Sequence, residues 1–259
     1  MAELPDGSVD CLVTSPPYWR LRDYAPSASA GGHSQIGLEE TADGYVAALR
    51  GVFAAARRVL TPRATVWLNL GDSYSTNSDG YWCAARAQDR QPRYRPRADV
   101  PHKNLLGMPW RVAFALQQDG WLLRSAIVWH KPHPAPTQVQ DRLATRYELI
   151  FLLASQPDYF VISSTRRSWD AHGQPGDYAG DVWTISPDRS RSGHPAPSPV
   201  EIPRRCIATG CPPNGHVLDP FSGSGTTGVA ARELGRRFTG IDTNAEYHQL
   251  AVRRLTAPL

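Results

Sequence analysis

The chain has 259 residues, of which 41% are hydrophobic and 20% are charged, a composition typical of a globular protein. A chain of this length can bury a core that needs neither disulfides nor a metal for stability. No apolar run approaches the ~18 residues of a membrane helix, and the N-terminus does not resemble a signal peptide, so we expect a cytoplasmic protein without membrane contact. The four cysteines lack partners at zinc-site spacing, so no metal is expected. The net charge is +4, and residues 61–150 alone carry +5, which indicates an anionic partner for that part of the chain.

The hydrophobic pattern predicts strands that alternate with helices along the chain. The strands are expected near residues 10–14, 65–70, 121–129, 147–153, 181–185, 216–219 and 237–242, and the helices near 43–60, 109–118, 198–209, 226–234 and 245–255. Ser198 and Glu201 match a capping box at the start of the third helix. The alternation predicts an α/β fold with a mostly parallel, doubly wound sheet. We expect one domain over residues 1–259, with an irregular basic insertion at about 72–108.

A glycine-rich turn near the C-terminus predicts a nucleotide site. Residues 217–228 contain the pattern G-x-G-x-x-G at Gly223, Gly225 and Gly228, between a predicted strand and a predicted helix, and Asp242 ends the following strand. Small residues let a ligand approach the backbone, the helix N-terminus favours an anion, and an acidic residue after the second strand suits the two hydroxyls of a ribose. The pattern does not identify the nucleotide, and a glycine-rich turn that binds no ligand is the alternative.

The segment Thr-Ser-Pro-Pro-Tyr-Trp at residues 14–19 follows the first predicted strand. Because proline fixes φ and has no N–H donor, the Ser15 hydroxyl and the Pro16 carbonyl can both point outward as acceptors, beside the aromatic face of Tyr18. Two acceptors and a ring suit a planar group that bears an amine. Drawing on both amine hydrogens makes the nitrogen lone pair available for reaction. Taken alone, the segment favours a Pro-Pro turn with a packing tyrosine over such a site.

Taken together, these two segments resemble the DNA amino-methyltransferases that modify cytosine N4 or adenine N6. Their order, with Ser-Pro-Pro-Tyr before the glycine-rich turn, is that of the permuted β arrangement in this family. The resemblance extends to residues 4–10, 129–131, 194–201 and 237–242, and so spans most of the chain. It implies a Rossmann-like fold with a mixed seven-stranded sheet and helices on both faces. It also implies S-adenosyl-L-methionine (AdoMet) as methyl donor and double-stranded DNA, with the target base flipped out of the duplex, as substrate.

The resemblance assigns roles to residues by their position in these motifs. The catalytic residues, which would hold the target amine and ring, are Ser15, Pro16, Pro17 and Tyr18. The AdoMet site would comprise Asp219, Pro220, Phe221, Gly223, Gly225, Thr226, Thr227 and Asp242, with Asp242 binding the ribose. In this family a serine at the first catalytic position goes mainly with cytosine N4, and an aspartate goes mainly with adenine N6. Ser15 therefore predicts cytosine N4, with adenine N6 as the alternative.

One feature departs from the family pattern. Family members usually carry a further strand, ending in Gly-Asp, before the segment equivalent to residues 4–10, and that strand borders the adenine of AdoMet. Here Leu4 lies three residues after Met1. We therefore expect either that the sheet lacks this edge strand or that the natural chain begins further upstream.

The basic insertion is the first candidate for DNA contact. Between residues 86 and 111 the net charge is +5 and aromatic residues are interleaved, which suits a loop that contacts phosphates. The candidate DNA-binding residues are Arg86, Arg90, Arg93, Tyr94, Arg95, Arg97 and Lys103. A solvated basic loop without DNA contact is the alternative. The loop-rich stretches at about 131–146 and 155–190 are further candidates for target recognition.

Two other functional classes remain open at this point. An NAD-dependent oxidoreductase would use the glycine-rich turn but would leave Ser-Pro-Pro-Tyr unexplained. A non-catalytic DNA-binding relic would bind AdoMet without turnover. The resemblance further implies a restriction–modification setting, with a cognate restriction endonuclease as a candidate partner. The sequence indicates neither the DNA word that is recognised nor whether the protein is a monomer or an oligomer.

Overall fold

The computed structural model describes residues 1–22, 35–75, 100–133, 140–162, 180–187 and 198–257. Its strands are β1 Val9–Thr14, β2 Leu60–Leu70, β3 Leu122–His130, β4 Tyr147–Ala154, β5 Val182–Thr184, β6 His216–Asp219 and β7 Arg237–Gly240. Its helices are α1 Ala42–Val59, α2 Met108–Gln118, α3 Glu201–Gly210, α4 Thr226–Glu233 and α5 Ala245–Thr256. The predicted alternation of strands and helices is confirmed.

The seven strands form one mixed sheet in the order β5-β3-β4-β2-β1-β6-β7. β1 pairs in parallel with β2 and β6, β6 with β7, and β3 with β5. β4 is antiparallel to both of its neighbours, β2 and β3. The N-terminus of β4 therefore lies at the same edge of the sheet as the C-termini of β1, β2 and β3.

Alternate residues of the central strands pack into two hydrophobic layers. In β4, Leu149, Phe151 and Leu153 face the layer that contains buried residues of α1 and α2. Ile150 and Leu152 face the layer that contains buried residues of α3 and α4. This period of two is the expected pattern for a strand buried on both faces. The sheet is therefore covered by helices on both faces, as the resemblance implies.

The start of α3 differs from the sequence prediction. Ser198 does not cap the helix: α3 begins at Glu201 with Val200 as its N-cap and without a side-chain capping bond. The Glu201 carboxylate pairs instead with Arg204 and Arg205, one turn further along the helix. The expected capping box therefore does not form, and its glutamate makes these ion pairs instead.

The seven strands agree in number with the prediction, and β5 and β7 are the outer strands of the sheet. The short strand β5 adds to β3 at one side of the sheet. At the other side β7 is the edge strand of the described part of the chain. The strand that usually borders the adenine of AdoMet in this family is not among the described strands.

Candidate functional site

The segment after β1 places its side chains at the edge where β1, β2 and β3 end. Ser15 is exposed, Pro16 is buried, and Pro17 and Tyr18 are half-buried. The Tyr45 hydroxyl of α1 donates to the Pro17 carbonyl at 2.9 Å, which fixes the turn against the helix. The Ser15 hydroxyl lies 3.4 Å from the Tyr18 hydroxyl. The serine and the tyrosine predicted to act on an amine are thus brought together at the sheet edge.

The Tyr18 hydroxyl lies in a polar cluster that the sequence analysis missed. It donates to Glu148 Oε2 at 2.5 Å and lies 3.4 Å from Asn69 Oδ1. The amide of Asn69 donates to Glu148 Oε2 at 3.3 Å, and the Lys131 ammonium pairs with Glu148 Oε1. A signal was present, because Glu148 is the one charged residue in the apolar strand β4, and Lys131 is one of only two lysines in the chain.

The ring of Tyr18 packs against the backbone of Gly71, directly after β2. A Cβ on Gly71 would lie 2.5 Å from Cε2 and 2.8 Å from Cδ2 of the ring. No side chain fits between the ring and the backbone at these distances. The absence of a side chain at position 71 therefore allows the Tyr18 ring to lie where it does.

Asp219, at the end of β6, connects the two motifs. Its carboxylate accepts hydrogen bonds from the Thr14 hydroxyl at 2.7 Å, the Thr227 hydroxyl at 2.7 Å and the Phe221 N–H at 3.0 Å. Burial raises the pKa of Asp219 to about 6, against the opposing effect of these three bonds. Because Asp219 bonds both to β1 and to the glycine-rich turn, these contacts position the turn relative to β1.

Asp242 follows β7 and is half-buried beside the same turn. Its Oδ2 accepts from the Gly223 N–H at 2.8 Å, and its Oδ1 accepts from the Asn244 N–H at 2.7 Å. Each oxygen keeps a further lone pair, which suits the hydroxyls of a ribose. Gly225, the N-cap of α4, has φ of +78° and no side chain with which to cap the helix, and the N-terminus of a helix favours an anionic group.

The residues at this turn fit AdoMet. They provide an acidic acceptor for the ribose in Asp242 and a helix N-terminus without a side-chain cap. They also provide a partly buried aromatic ring in Phe221. Among the predicted AdoMet residues, Pro220 and Thr227 are buried and Thr226 is half-buried. Their roles toward the ligand stay predictions, since the structure gives their positions only.

Most of the predicted DNA-binding residues lie outside the described part of the chain. These are Arg86, Arg90, Arg93, Tyr94, Arg95 and Arg97. The ends of the insertion are described: Tyr74 and Leu105 form an antiparallel bridge, so the insertion leaves and rejoins the domain at one place. Lys103 pairs with Asp141, and the Arg142 guanidinium lies 3.9 Å from the centre of the Tyr74 ring. The base of the insertion is therefore joined to the loop that precedes β4.

Comparison with known proteins identifies relatives along the whole chain. Residues 9–253 match the N6/N4 methyltransferase family, which is described as DNA methylase. The chain is 41% identical over 267 residues to the type II methyltransferase M.Cfr9I of Citrobacter freundii, covering 98% of this chain and 84% of the relative. It is 41% identical over 257 residues to the type II methyltransferase M.SmaI of Serratia marcescens, covering 95% and 84%.

Solved structures share the fold. The PvuII DNA methyltransferase, described as cytosine-N4-specific, superposes with a TM-score of 0.69 at 18% identity, covering 99% of this chain and 82% of that one. A DNA modification methylase of Thermus thermophilus, solved with S-adenosyl-L-methionine, gives a TM-score of 0.67 at 22% identity, covering 98% and 88%. Within the described residues, no helix is both long and apolar enough to cross a membrane.

Proposed function

This chain belongs to the N6/N4 DNA methylase family and is an AdoMet-dependent DNA methyltransferase, and on that premise we propose that it methylates the exocyclic N4 of cytosine in double-stranded DNA. The family does not by itself distinguish cytosine N4 from adenine N6, and adenine N6 is the alternative target. Membership of this family argues against the oxidoreductase alternative, because it assigns the glycine-rich turn to AdoMet.

The observation that carries the choice of cytosine is Ser15. It stands, exposed, at the first position of the catalytic segment, with its hydroxyl 3.4 Å from that of Tyr18. A serine hydroxyl can accept a hydrogen bond from an amine and remains neutral. In the family that this chain resembles, a serine at the first catalytic position goes mainly with cytosine N4.

The residues divide the work between the base and the methyl donor. Ser15 and the Pro16 carbonyl accept the hydrogens of the target amine, and the ring of Tyr18 stacks on the flipped base. Asp242 and the backbone around Gly223 hold AdoMet, which supplies the methyl group when it is bound. Drawing on the amine hydrogens concentrates the lone pair on nitrogen, where it can attack.

The test is mass spectrometry of nucleosides from DNA that has been incubated with the purified chain and methyl-labelled AdoMet. We expect the label in N4-methylcytosine. Label in N6-methyladenine would overturn the base assignment and keep the reaction class. The DNA should contain every recognition sequence of moderate length. If the chain then binds AdoMet but labels no nucleoside, the result would favour the non-catalytic alternative.

We further propose that the chain protects DNA from a cognate type II restriction endonuclease, because its relatives M.Cfr9I and M.SmaI are type II methyltransferases. Sequencing of plasmid DNA modified by the chain identifies the methylated word. An endonuclease that cuts this word should fail to cut the modified plasmid and should still cut plasmid from a Tyr18→Ala control. Cleavage of both plasmids would contradict the proposal.

A further inference from the structure

Glu148 lies at the site without a role in the function proposed above. It is the second residue of β4, and its side chain is only 16% exposed. The reversed direction of β4 brings it to the edge where β1 and β2 end, with Leu149 opposite Leu70. A carboxylate that loses most of its hydration in this way needs partners, since burying a charge without them is costly.

Each oxygen of the Glu148 carboxylate has a partner. Oε1 pairs with the ammonium of Lys131, which itself lies 4.4 Å from the centre of the Trp129 ring. Oε2 accepts from the Tyr18 hydroxyl at 2.5 Å and from the Asn69 amide at 3.3 Å. Lys131 and Asn69 therefore fix the carboxylate, and the carboxylate fixes the tyrosine hydroxyl.

We propose that Glu148 is a positioning residue whose negative charge acts on the reaction through the Tyr18 hydroxyl. The proposal rests on the proposed function, in which the Tyr18 ring stacks on the target base. Glu148 does not touch the base in this arrangement. It holds the ring in one orientation and supplies charge to it along a short, charge-assisted hydrogen bond.

The reaction gives this charge a use. As the nitrogen lone pair forms the N–C bond, the S–C bond of the donor would break with its electron pair left on sulfur. Positive charge would thus pass from sulfur to the amine nitrogen, which would then release a proton to solvent. An aromatic face attracts a cation, and a hydroxyl that donates to a carboxylate makes the ring richer in electrons. Glu148 should therefore stabilise the transition state more than it stabilises bound substrate.

The test is a double-mutant cycle of four proteins: wild type, Glu148→Gln, Tyr18→Phe and the double variant. Glutamine keeps an acceptor for the tyrosine hydroxyl and removes the charge. We expect Glu148→Gln to lower the single-turnover rate about tenfold when Tyr18 is present and less than about twofold in the Tyr18→Phe background. The AdoMet dissociation constant and the KM for DNA should stay within about twofold of wild type. An unchanged rate in Glu148→Gln, or the same loss in both backgrounds, would overturn the proposal.

A second readout does not depend on activity. Urea unfolding of the same four proteins should show non-additive effects of the two substitutions, with a coupling of about tenfold in the unfolding equilibrium constant. Glu233→Gln, which removes a partly exposed carboxylate paired with Arg204, is the matched control and should show no coupling to Tyr18→Phe. If the wild-type protein labels no DNA, the proposed function fails. The unfolding measurements still test the positioning role of Glu148, because additive effects would show that Glu148 does not position Tyr18.

Discussion

Asp219 is an acidic side chain whose protonation is set by burial. Loss of hydration raises its pKa to about 6, and the nearby negative charge of Asp242 acts in the same direction. The hydroxyls of Thr14 and Thr227 and the Phe221 N–H oppose the rise by donating to the carboxylate. The folded state therefore binds the Asp219 proton more tightly than the unfolded state does.

This raised pKa predicts a pH dependence of stability. Between about pH 4 and pH 6 the folded protein holds a proton that the unfolded chain has released, so stability falls as pH rises through this window. Relative to Asp219→Asn, the free energy of unfolding of wild type should fall by roughly 2 kcal/mol from pH 4 to pH 7. Urea unfolding of both proteins at several pH values measures this difference. A constant difference would contradict the expected pKa.

The contact between Gly71 and the Tyr18 ring predicts that Gly71→Ala loses turnover and still folds. In Gly71→Ala the new methyl group would lie 2.5 Å from the Tyr18 ring, so the ring must leave its position. We expect the single-turnover rate to fall about tenfold or more, since misplacement of a reacting group by about 1 Å can cost 100-fold. Gly51→Ala is the control, because nothing lies within 4 Å of a Cβ at that position. Equal rates in the two variants would show that the ring position is unimportant.

The base half and the donor half of the site should respond differently to substitution. Tyr18→Ala removes the ring that is proposed to stack on the base, so it should cut turnover severely while leaving AdoMet affinity unchanged. Asp242→Ala removes the acceptor for the Gly223 and Asn244 N–H groups as well as the proposed ribose contact, so AdoMet affinity should fall about tenfold or more. Isothermal titration with AdoMet and single-turnover kinetics separate the two effects. Full activity of Tyr18→Ala would contradict the flipped-base arrangement.

At the scale of elements, α4 and α5 meet at Gly225. A Cβ there would lie 2.9 Å from Cβ and 3.1 Å from Cα of Ala251 in α5. The close approach of the two helices thus depends on the residue that also begins α4. The packing of the helices and the shape of the glycine-rich turn are set at one position.

Gly225→Ala should therefore lower the free energy of unfolding by more than backbone strain alone would. Gly235 also has a positive φ, of +66°, but nothing lies within 4 Å of its Cβ position. Gly235→Ala should cost about 1 kcal/mol, from the left-handed backbone alone. Gly225→Ala should cost clearly more and should also weaken AdoMet binding. Thermal unfolding and AdoMet titration of both variants test this, and equal effects would remove the role of α5.

The helices and strands were largely predictable from hydrophobic periodicity, because each of them buries its apolar side chains at regular intervals. The start of β2 at Leu60, directly after α1, was not, since the hydrophobic pattern placed the start of this strand only at residue 65. Pairing of Leu60 with Val9 of β1 extends the strand through this point. Tertiary pairing, which no local pattern records, decided the boundary.

At the scale of the whole molecule, the sequence predicted which residues form the two motifs and that they share one site. The direct link between them, from Thr14 to Asp219, could not be predicted, because it depends on β1 and β6 being neighbours. Glu148 was missed for a similar reason. Only the reversed direction of β4 brings a residue from the start of that strand to Tyr18.

The basic insertion predicts how DNA affinity depends on salt. Replacing Arg86, Arg90, Arg93, Arg95 and Arg97 by glutamine should weaken DNA binding and reduce the slope of log K against log salt by about one for each phosphate that is no longer neutralised. AdoMet affinity should not change. Arg57, Arg58 and Arg63, around the start of β2 and so at the opposite edge of the sheet, form the control set. An unchanged slope in the first variant, measured by fluorescence anisotropy, would exclude the insertion from DNA contact.

The position of β1 between β2 and β6 also has a consequence during synthesis. The partners of β1 on its β6 side lie far along the chain: Asp10 binds the His216 N–H across 206 residues, and Thr14 binds Asp219 across 205. The Ser-Pro-Pro-Tyr segment therefore leaves the ribosome long before the strand that completes its surroundings. Contacts between such distant residues form late in folding. A growing chain can therefore complete the surroundings of this segment only after β6 has left the ribosome.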